Sequence, residues 1–210
     1  MHCAYFDGNS GIYSTAVSFA PPGTFAFWAQ LRSDTTGAYS FTTGPTGYSF
    51  TFGQTPDPYI SFSSNTGTSW KIVFQILLEK GSHPILSHLT EWNYYVGDFT
   101  TSESHLYINN NLVGSSNGSS ISRNYYATGI GMYRWTAASS SHQYSKINFG
   151  PFRFFNKVLT EEERLLVSKT NTHLNHSNLQ LEQLWMNNYN DTGPNNYQWT
   201  QEGTVQYFTI

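Results

Sequence analysis

Cysteine is nearly absent: Cys3 is the one thiol in 210 residues. A lone cysteine cannot close an internal disulfide, so the fold does not rest on an oxidising compartment. Charge is scarce as well, at 11% Asp, Glu, Lys and Arg together and a formal net charge of -3. A nucleic-acid binder would cluster Lys or Arg on a basic patch, and no such cluster occurs. Long apolar runs are missing. The longest, residues 72–78, includes Gln75 and is far too short to span a bilayer, so no membrane insertion is expected. The first six residues hold neither a basic region nor an apolar run, so no classical secretory signal is expected.

Aromatic rings, by contrast, are abundant at 17%, and Ser, Thr, Asn and Gly fill the polar positions. Chains of this length form undivided all-β domains. Residues 3–19 read as two short strands around a turn at 7–11, a stretch rich in turn-forming residues. Pro21-Pro22-Gly23 then launches a strand over 24–32. On it Phe25, Phe27, Ala29 and Leu31 share the core face, and Ala26, Trp28, Gln30 and Arg32 share a half-exposed one. Three short pieces at 39–42, 48–51 and 60–63 predict an antiparallel meander. Residues 70–78, the most continuously apolar, predict a central strand, and 92–99 follow as another.

Leu106 to Val113 reads as two strand ends meeting at Asn109-Asn110, since Asn tolerates the left-handed backbone of a tight hairpin. Residues 114–122 read as a Ser/Gly/Asn loop, 125–135 as one strand, and 135–143 as a small-residue loop. Ile147 to Leu159 alternates large apolar with small or polar residues, the mark of a strand with one buried face. Thr160-Glu161-Glu162-Glu163 is a capping box, which places a short helix through Leu165, Leu166 and Lys169.

In order and type these pieces resemble the laminin-G-like, concanavalin-A-like jelly-roll family. Leu106 to Val113 is similar to that family's L-Y-V-D-G-x-L-V hairpin, with Asn109-Asn110 in place of Asp-Gly. Residues 147–163 are similar to its later strand and following helical turn, although Phe149-Gly150-Pro151 replaces an acidic pair. Tyr5-Phe6-Asp7-Gly8 and Phe25-Ala26-Phe27-Trp28 resemble its opening strands. The resemblance spans roughly residues 2–168. It implies an all-β, two-sheet antiparallel β-sandwich (a jelly roll) with a short C-terminal helix and an extension. The domain is expected over 1–169, and 170–210 as an aromatic extension packing on it or on a partner. Within that extension Ser177 is expected to cap a second short helix through Leu179, Leu184 and Trp185, and 204–210 to form a last strand.

The fold hosts lectins, adhesion modules and glycosidases alike, so chemistry has to be read from particular residues. Glycosidases of this fold set carboxylates at Glu-x-Asp-x-x-Glu spacing, and none occurs here. The one acidic cluster, Glu161 to Glu163, caps the helix. No Gly-x-Ser-x-Gly elbow, phosphate loop or His-Glu-x-x-His is present, so no enzyme is expected. His173 with His176, and His83 with His88, lack partner Cys or carboxylates for zinc. No cofactor is expected; a calcium ion, which the resemblance allows, would draw on Asp34, Asp57, Asn65 and Asp98.

Sugars offer apolar C–H faces ringed by hydroxyls, so their sites pair an aromatic platform with amides or Arg. Trp28 with Gln30 and Arg32 offers that on one strand face. Tyr133, Arg134 and Trp135 beside His142 offer it at a loop rim. The expected function is a non-catalytic glycan- or surface-recognition module, displayed as an adhesin or decoration component on a virion or other extracellular assembly. Its partners would be cell-surface glycans or other virion proteins, with homo-oligomerisation expected. The alternatives are a structural assembly protein without sugar binding, and an inactive glycosidase-like domain.

Overall fold

The computed structural model describes residues 1–17, 21–30, 41–42, 48–53, 59–65, 70–77, 91–117, 128–134 and 142–210; within 41–77 and at 116–117, 133–134 and 142–143 it is the backbone that is described. Strands β1 (His2–Asp7) and β2 (Gly11–Ser14) flank the expected first turn, and β3 (Gly23–Gln30) follows Pro22. The meander is β4 (Phe41–Thr42), β5 (Tyr48–Gly53), β6 (Tyr59–Asn65) and β7 (Trp70–Leu77). Then come β8 (Asn93–Phe99), β9 (Glu103–Ile108), β10 (Asn111–Asn117), β11 (Thr128–Ile130), β12 (Met132–Arg134), β13 (His142–Tyr144) and β14 (Lys146–Phe155). Helix α1 (Glu161–Lys169) precedes β15 (Leu179–Gln183), β16 (Thr200–Glu202) and β17 (Gln206–Thr209).

Two antiparallel sheets face each other. The first runs β10-β9-β8-β3-β14-β1-β17, with β15 also on β14; the second runs β16-β2-β11-β4-β5-β6-β7. The core between them contains Phe6, Ile12, Phe25, Phe27, Tyr95, Ile130, Phe149, Phe152, Trp185 and Trp199. Its rings pack edge-to-face (Phe6 on Phe149, 5.8 Å) or stacked (Phe27 on Tyr95, 5.6 Å), the two arrangements that aromatic quadrupoles favour. Asn109 and Asn110 take φ of 50° and 66°, the left-handed pair that a two-residue hairpin demands. Asn109 also ties the hairpin to β8: its Oδ1 accepts from the Tyr94 N–H at 2.9 Å, and its Nδ2 donates to Asn93 Oδ1 at 2.8 Å.

Several expectations are corrected. Strand β7 is not central but ends the order of its sheet, because a meander adds strands in chain order and leaves the last one outermost. The strand expected over 125–135 is two strands in different sheets. Gly131 separates them at φ 73°, where an added Cβ would lie 2.3 Å from a Phe6 ring carbon. Residues 114–117, expected as loop, extend β10 past a bulge between Leu112 and Gly114. The second helix expected behind Ser177 is strand β15. Leu181 faces the inter-sheet core and Glu182 the opposite side, and a register shift beside Gln180 turns Leu179 to the outer side as well, along the open flank of β14.

Residues 170–210 contribute to both sheets: β15 pairs with β14, β16 with β2, and β17 with β1. Strand β14 meets β1 through its first half and β15 through its second. It changes partner at a bulge between Phe149 and Phe152, where Pro151 has no N–H to offer a ladder. Glu182, fully buried, anchors this region. It accepts from Arg153 Nε at 2.8 Å, the Leu174 N–H at 3.1 Å and the Thr192 hydroxyl at 3.0 Å, and it meets His173 Nδ1 at 2.7 Å. Asp191 holds the next loop through the N–H groups of Glu182, Gly193 and Tyr197.

Helix α1 carries the expected capping box, with Thr160 Oγ1 accepting from the Glu163 N–H and Glu163 Oε2 from the Thr160 N–H. The Lys157 ammonium at 2.9 Å, with the Thr160 N–H and His176, holds the Glu163 carboxyl well below its ordinary value, at about 2. Because the folded value is depressed, the stabilisation is present above the ordinary carboxyl range near 4.5 and disappears as pH falls towards 2. Acid titration followed by circular dichroism is therefore expected to be shallower across that window for Glu163→Gln than for the native chain. Glu182→Gln leaves the Arg153 guanidinium buried without its counter-charge. It is expected to cost about 3 kcal/mol in urea unfolding.

Candidate functional site

At β8 the first sheet is covered on both faces, which explains why all seven residues of that strand are buried. Its outer face carries a second apolar cluster of Ala26, Tyr94, Val96, Phe155, Leu159, Val167, Leu174 and Leu179, beneath α1 and the chain that follows it. Trp28 belongs here. Its indole N–H donates to Ser168 O of the helix at 3.2 Å, and its ring lies 5.5 Å from that of Tyr94. Asp98 is on the same covered face, bonded through Oδ1 to His105 Nδ1 at 2.7 Å, and burial pushes its carboxyl above the ordinary value. Beside it the Arg164 guanidinium lies 3.9 Å over the Tyr107 ring, a cation–π contact.

Beyond the helix, Tyr5 and Gln30 on this face are half exposed and Asn148 between them is buried. Parity identifies them: Tyr5 falls between core residues Ala4 and Phe6, Asn148 between Ile147 and Phe149, and Gln30 follows Ala29. Register then sets them in a row, since Gln30 pairs with Asn148 and Asn148 with Tyr5. Asn148 Nδ2 donates to Gln30 Oε1 at 2.9 Å, which locks the two amides together. Continuing the Trp28–Tyr94 register sets Trp92 beside Gln30. On β17, Phe208 pairs with Cys3 and shares this face. Strands β3, β14 and β1 lie between β8 and β17, yet the rings of Trp92 and Phe208 are 6.4 Å apart and inclined at 43°. The two half-buried rings therefore reach over the amide row.

The floor beside that row is Gly150. A Cβ there would lie 2.8 Å from Trp28 Cβ and 2.9 Å from Met1 Sδ, so the backbone approaches as closely as it does only without a side chain. At the rim Asp7 pairs in register with Lys146. Burial works against the charge of Asp7, but the Asn9 N–H, Ser10 and Lys146 outweigh it and keep its carboxyl below the ordinary value. Cys3 is buried beneath, its thiol pushed up to about 12 by loss of solvent, so it is not a nucleophile.

Of the residues expected to bind, Trp28 and Gln30 are neighbours on this face, with Trp28 engaged by the helix and Gln30 in the amide row. Arg134 and His142 are register partners, and Tyr133 pairs with Gln143, so the β12–β13 ribbon brings that second group together at the backbone. The side chains of Tyr133, Arg134 and His142 lie outside the described residues, as do Arg32 and Trp135. Of the four oxygen donors considered for calcium, Asp34 and Asp57 also lie outside the described residues. Asn65 pairs with Trp70 at the end of β6, and Asp98 is under the helix rather than at a rim. Among the described residues no three His, Cys, Asp or Glu side chains are grouped to hold a metal. Sequence reasoning missed Trp92, Tyr5, Asn148 and Phe208. Alternation along each strand is the signal that could have marked them, but their meeting depends on cross-strand register.

The model of the concanavalin A-like lectin/glucanases superfamily matches residues 6–163. This chain belongs to that superfamily. The concanavalin A-like chain is similar to the native heptameric SAP-like pentraxin of Limulus polyphemus, at 11% identity and a TM-score of 0.65, over 98% of this chain and 94% of that one. It is also similar to a putative carbohydrate binding protein of Bacteroides ovatus, at 12% identity and a TM-score of 0.66, over 100% of this chain and 60% of that one. A third similar structure is the mouse laminin alpha1 chain, domains LG4-5, at 11% identity and a TM-score of 0.50, over 73% and 40%. At such identities the likeness is one of fold. A comparison with curated proteins finds no match. In the concanavalin A-like chain Gly150→Ala is expected to lower stability by about 1–3 kcal/mol in urea unfolding, since Trp28 Cβ cannot move aside as Met1 can.

Proposed function

We propose that this chain is a non-catalytic recognition module that binds a neutral glycan on the uncovered outer face of the first sheet. The observation that carries the reading is the pair of half-exposed rings, Trp92 and Phe208, over the Gln30–Asn148 amide row. Rings take the apolar C–H face of a pyranose, and amides are at once donors and acceptors for its hydroxyls. Opposite charges stand side by side at the rim, where Asp7 pairs with Lys146, which leaves little field to select a charged ligand. A similar fold is described as a putative carbohydrate binding protein, and another, a botulinum neurotoxin DC binding domain, is in complex with SialylT.

The same reading extends to where the module works: displayed on a virion surface, as a fibre, spike or decoration component, or on another extracellular assembly. The low charge and Asn-, Ser-, Thr- and Tyr-rich composition support a surface made for contact. A heptameric protein shares the fold, which supports self-association. The competing role is a purely structural assembly protein. A glycan array separates the two. The native chain is expected to bind a subset of neutral oligosaccharides, and Trp92→Ala to reduce that binding at least about tenfold while the melting temperature stays within a few degrees. An empty array with the native chain favours the structural role.

A further inference from the structure

Helix α1 carries apolar side chains towards water as well as towards the sheet. Arg164 and Val167 are its buried residues. Its solvent side is the stripe Glu162, Leu165, Leu166 and Lys169, all exposed, at the i, i+3, i+4, i+7 spacing that sets side chains on one helix face. A helix that covers a sheet and meets water on its other side normally carries polar residues there. Here the middle of the stripe is two adjacent leucines, 37% and 55% exposed, and charge is confined to the ends. Neither leucine is a member of the two apolar clusters described above.

The charges at the ends of the stripe say what fits against it. Glu162 is in the first turn, with Glu161 beside it, and Lys169 is in the last. Consider a second copy of the stripe, turned end over end about a twofold axis through the leucines. Its Lys169 then meets Glu162 and its Glu162 meets Lys169. Leucines pack on leucines at the centre, and the two macrodipoles run antiparallel. A parallel arrangement would set acid against acid and base against base. We infer that this stripe of α1 is a contact between two copies of the chain, made by antiparallel packing of their helices. The patch complements itself, as an isologous contact requires. One nine-residue helix offers well below the about 1,200 Å² that a stable interface buries, so the pair is weak and exchanging. Such a contact counts where copies are already held close together, as on the assembly proposed above. It does not use the rings or the amide row, and so goes beyond the glycan reading.

Sedimentation equilibrium of the full chain at up to about 1 mM tests the contact. The native chain is expected to show a monomer–dimer equilibrium that added salt weakens. Leu166→Ser is expected to raise the dissociation constant about tenfold or more. Glu162→Lys and Lys169→Glu, each alone, are expected to raise it about threefold or more. An equimolar mixture of those two variants is expected to pair at about the native strength, because one then carries lysine at both ends of the stripe and the other glutamate. A native chain that stays monomeric throughout overturns the contact. So does a dimer indifferent to Leu166→Ser or to either charge reversal, or a mixture no better paired than its components. Should circular dichroism show that a charge reversal frays the helix, the native equilibrium and Leu166→Ser still decide.

Discussion

One buried carboxylate organises the join between the body of the sandwich and its last forty residues. Glu182 has no exposure to water, and each of its oxygens is held, by Arg153 and the Leu174 N–H on one side and by His173 and Thr192 on the other. A charge in that position is tolerable only because its partners are complete. Arg153 in turn donates to the carbonyls of Val167 and Thr172, which fasten the helix and the chain after it to β14. The segments so fastened supply Val167 and Leu174 to the outer apolar cluster. With the cluster closed, Trp28 is bound to the helix at Ser168, and the exposed part of the face is confined to the rows beyond it.

The division of the outer face follows from this. Where α1 lies, the sheet is a three-layer core, and residues such as Val96 and Tyr94 are buried as deeply as those between the sheets. Where the helix stops, Gln30 on β3 and Tyr5 on β1 are half covered and Asn148 between them on β14 is buried, with rings arching over them from β17 and from the residue before β8. Covered and uncovered regions share strands β3 and β14. The rigidity that the helix gives to one extends to the other, and an amide row spanning two such strands is held without needing order of its own.

Local chemistry was what the sequence revealed best. The Asn109-Asn110 hairpin, the Thr160–Glu163 capping box and the two-faced alternation of β3 each depend on a few adjacent residues, and each is found where the residues placed it, whereas β14, expected with one buried face, is buried on both. What escaped depends on distant partners. The stretch behind Ser177 becomes a strand because β14 has an open flank there, which no local propensity announces. The apolar strand β7 was expected at the centre on hydrophobicity, although its place is set by the order in which a meander adds strands. Trp28 was legible as an aromatic on the outward face but not as a helix anchor, since Ser168 is 140 residues away. The meeting of Trp92 with Phe208 is likewise set by cross-strand register rather than by neighbours in the chain.

The fork in β14, with β1 beside its first half and β15 beside its second, has a consequence for how the chain reaches this state. Strand β17 fills a place beside β1, the first strand of the chain, where His2 finds its partner at Thr209. Closing so long a loop loses entropy before any contact rewards it. Assembly of this molecule is consequently governed by its most remote pairings, which puts it with the slow β-rich folders. Without β17 and β15, strands β1 and β14 would each offer bare backbone to any extended segment nearby, so the last part of the chain is what closes the sheet against other chains.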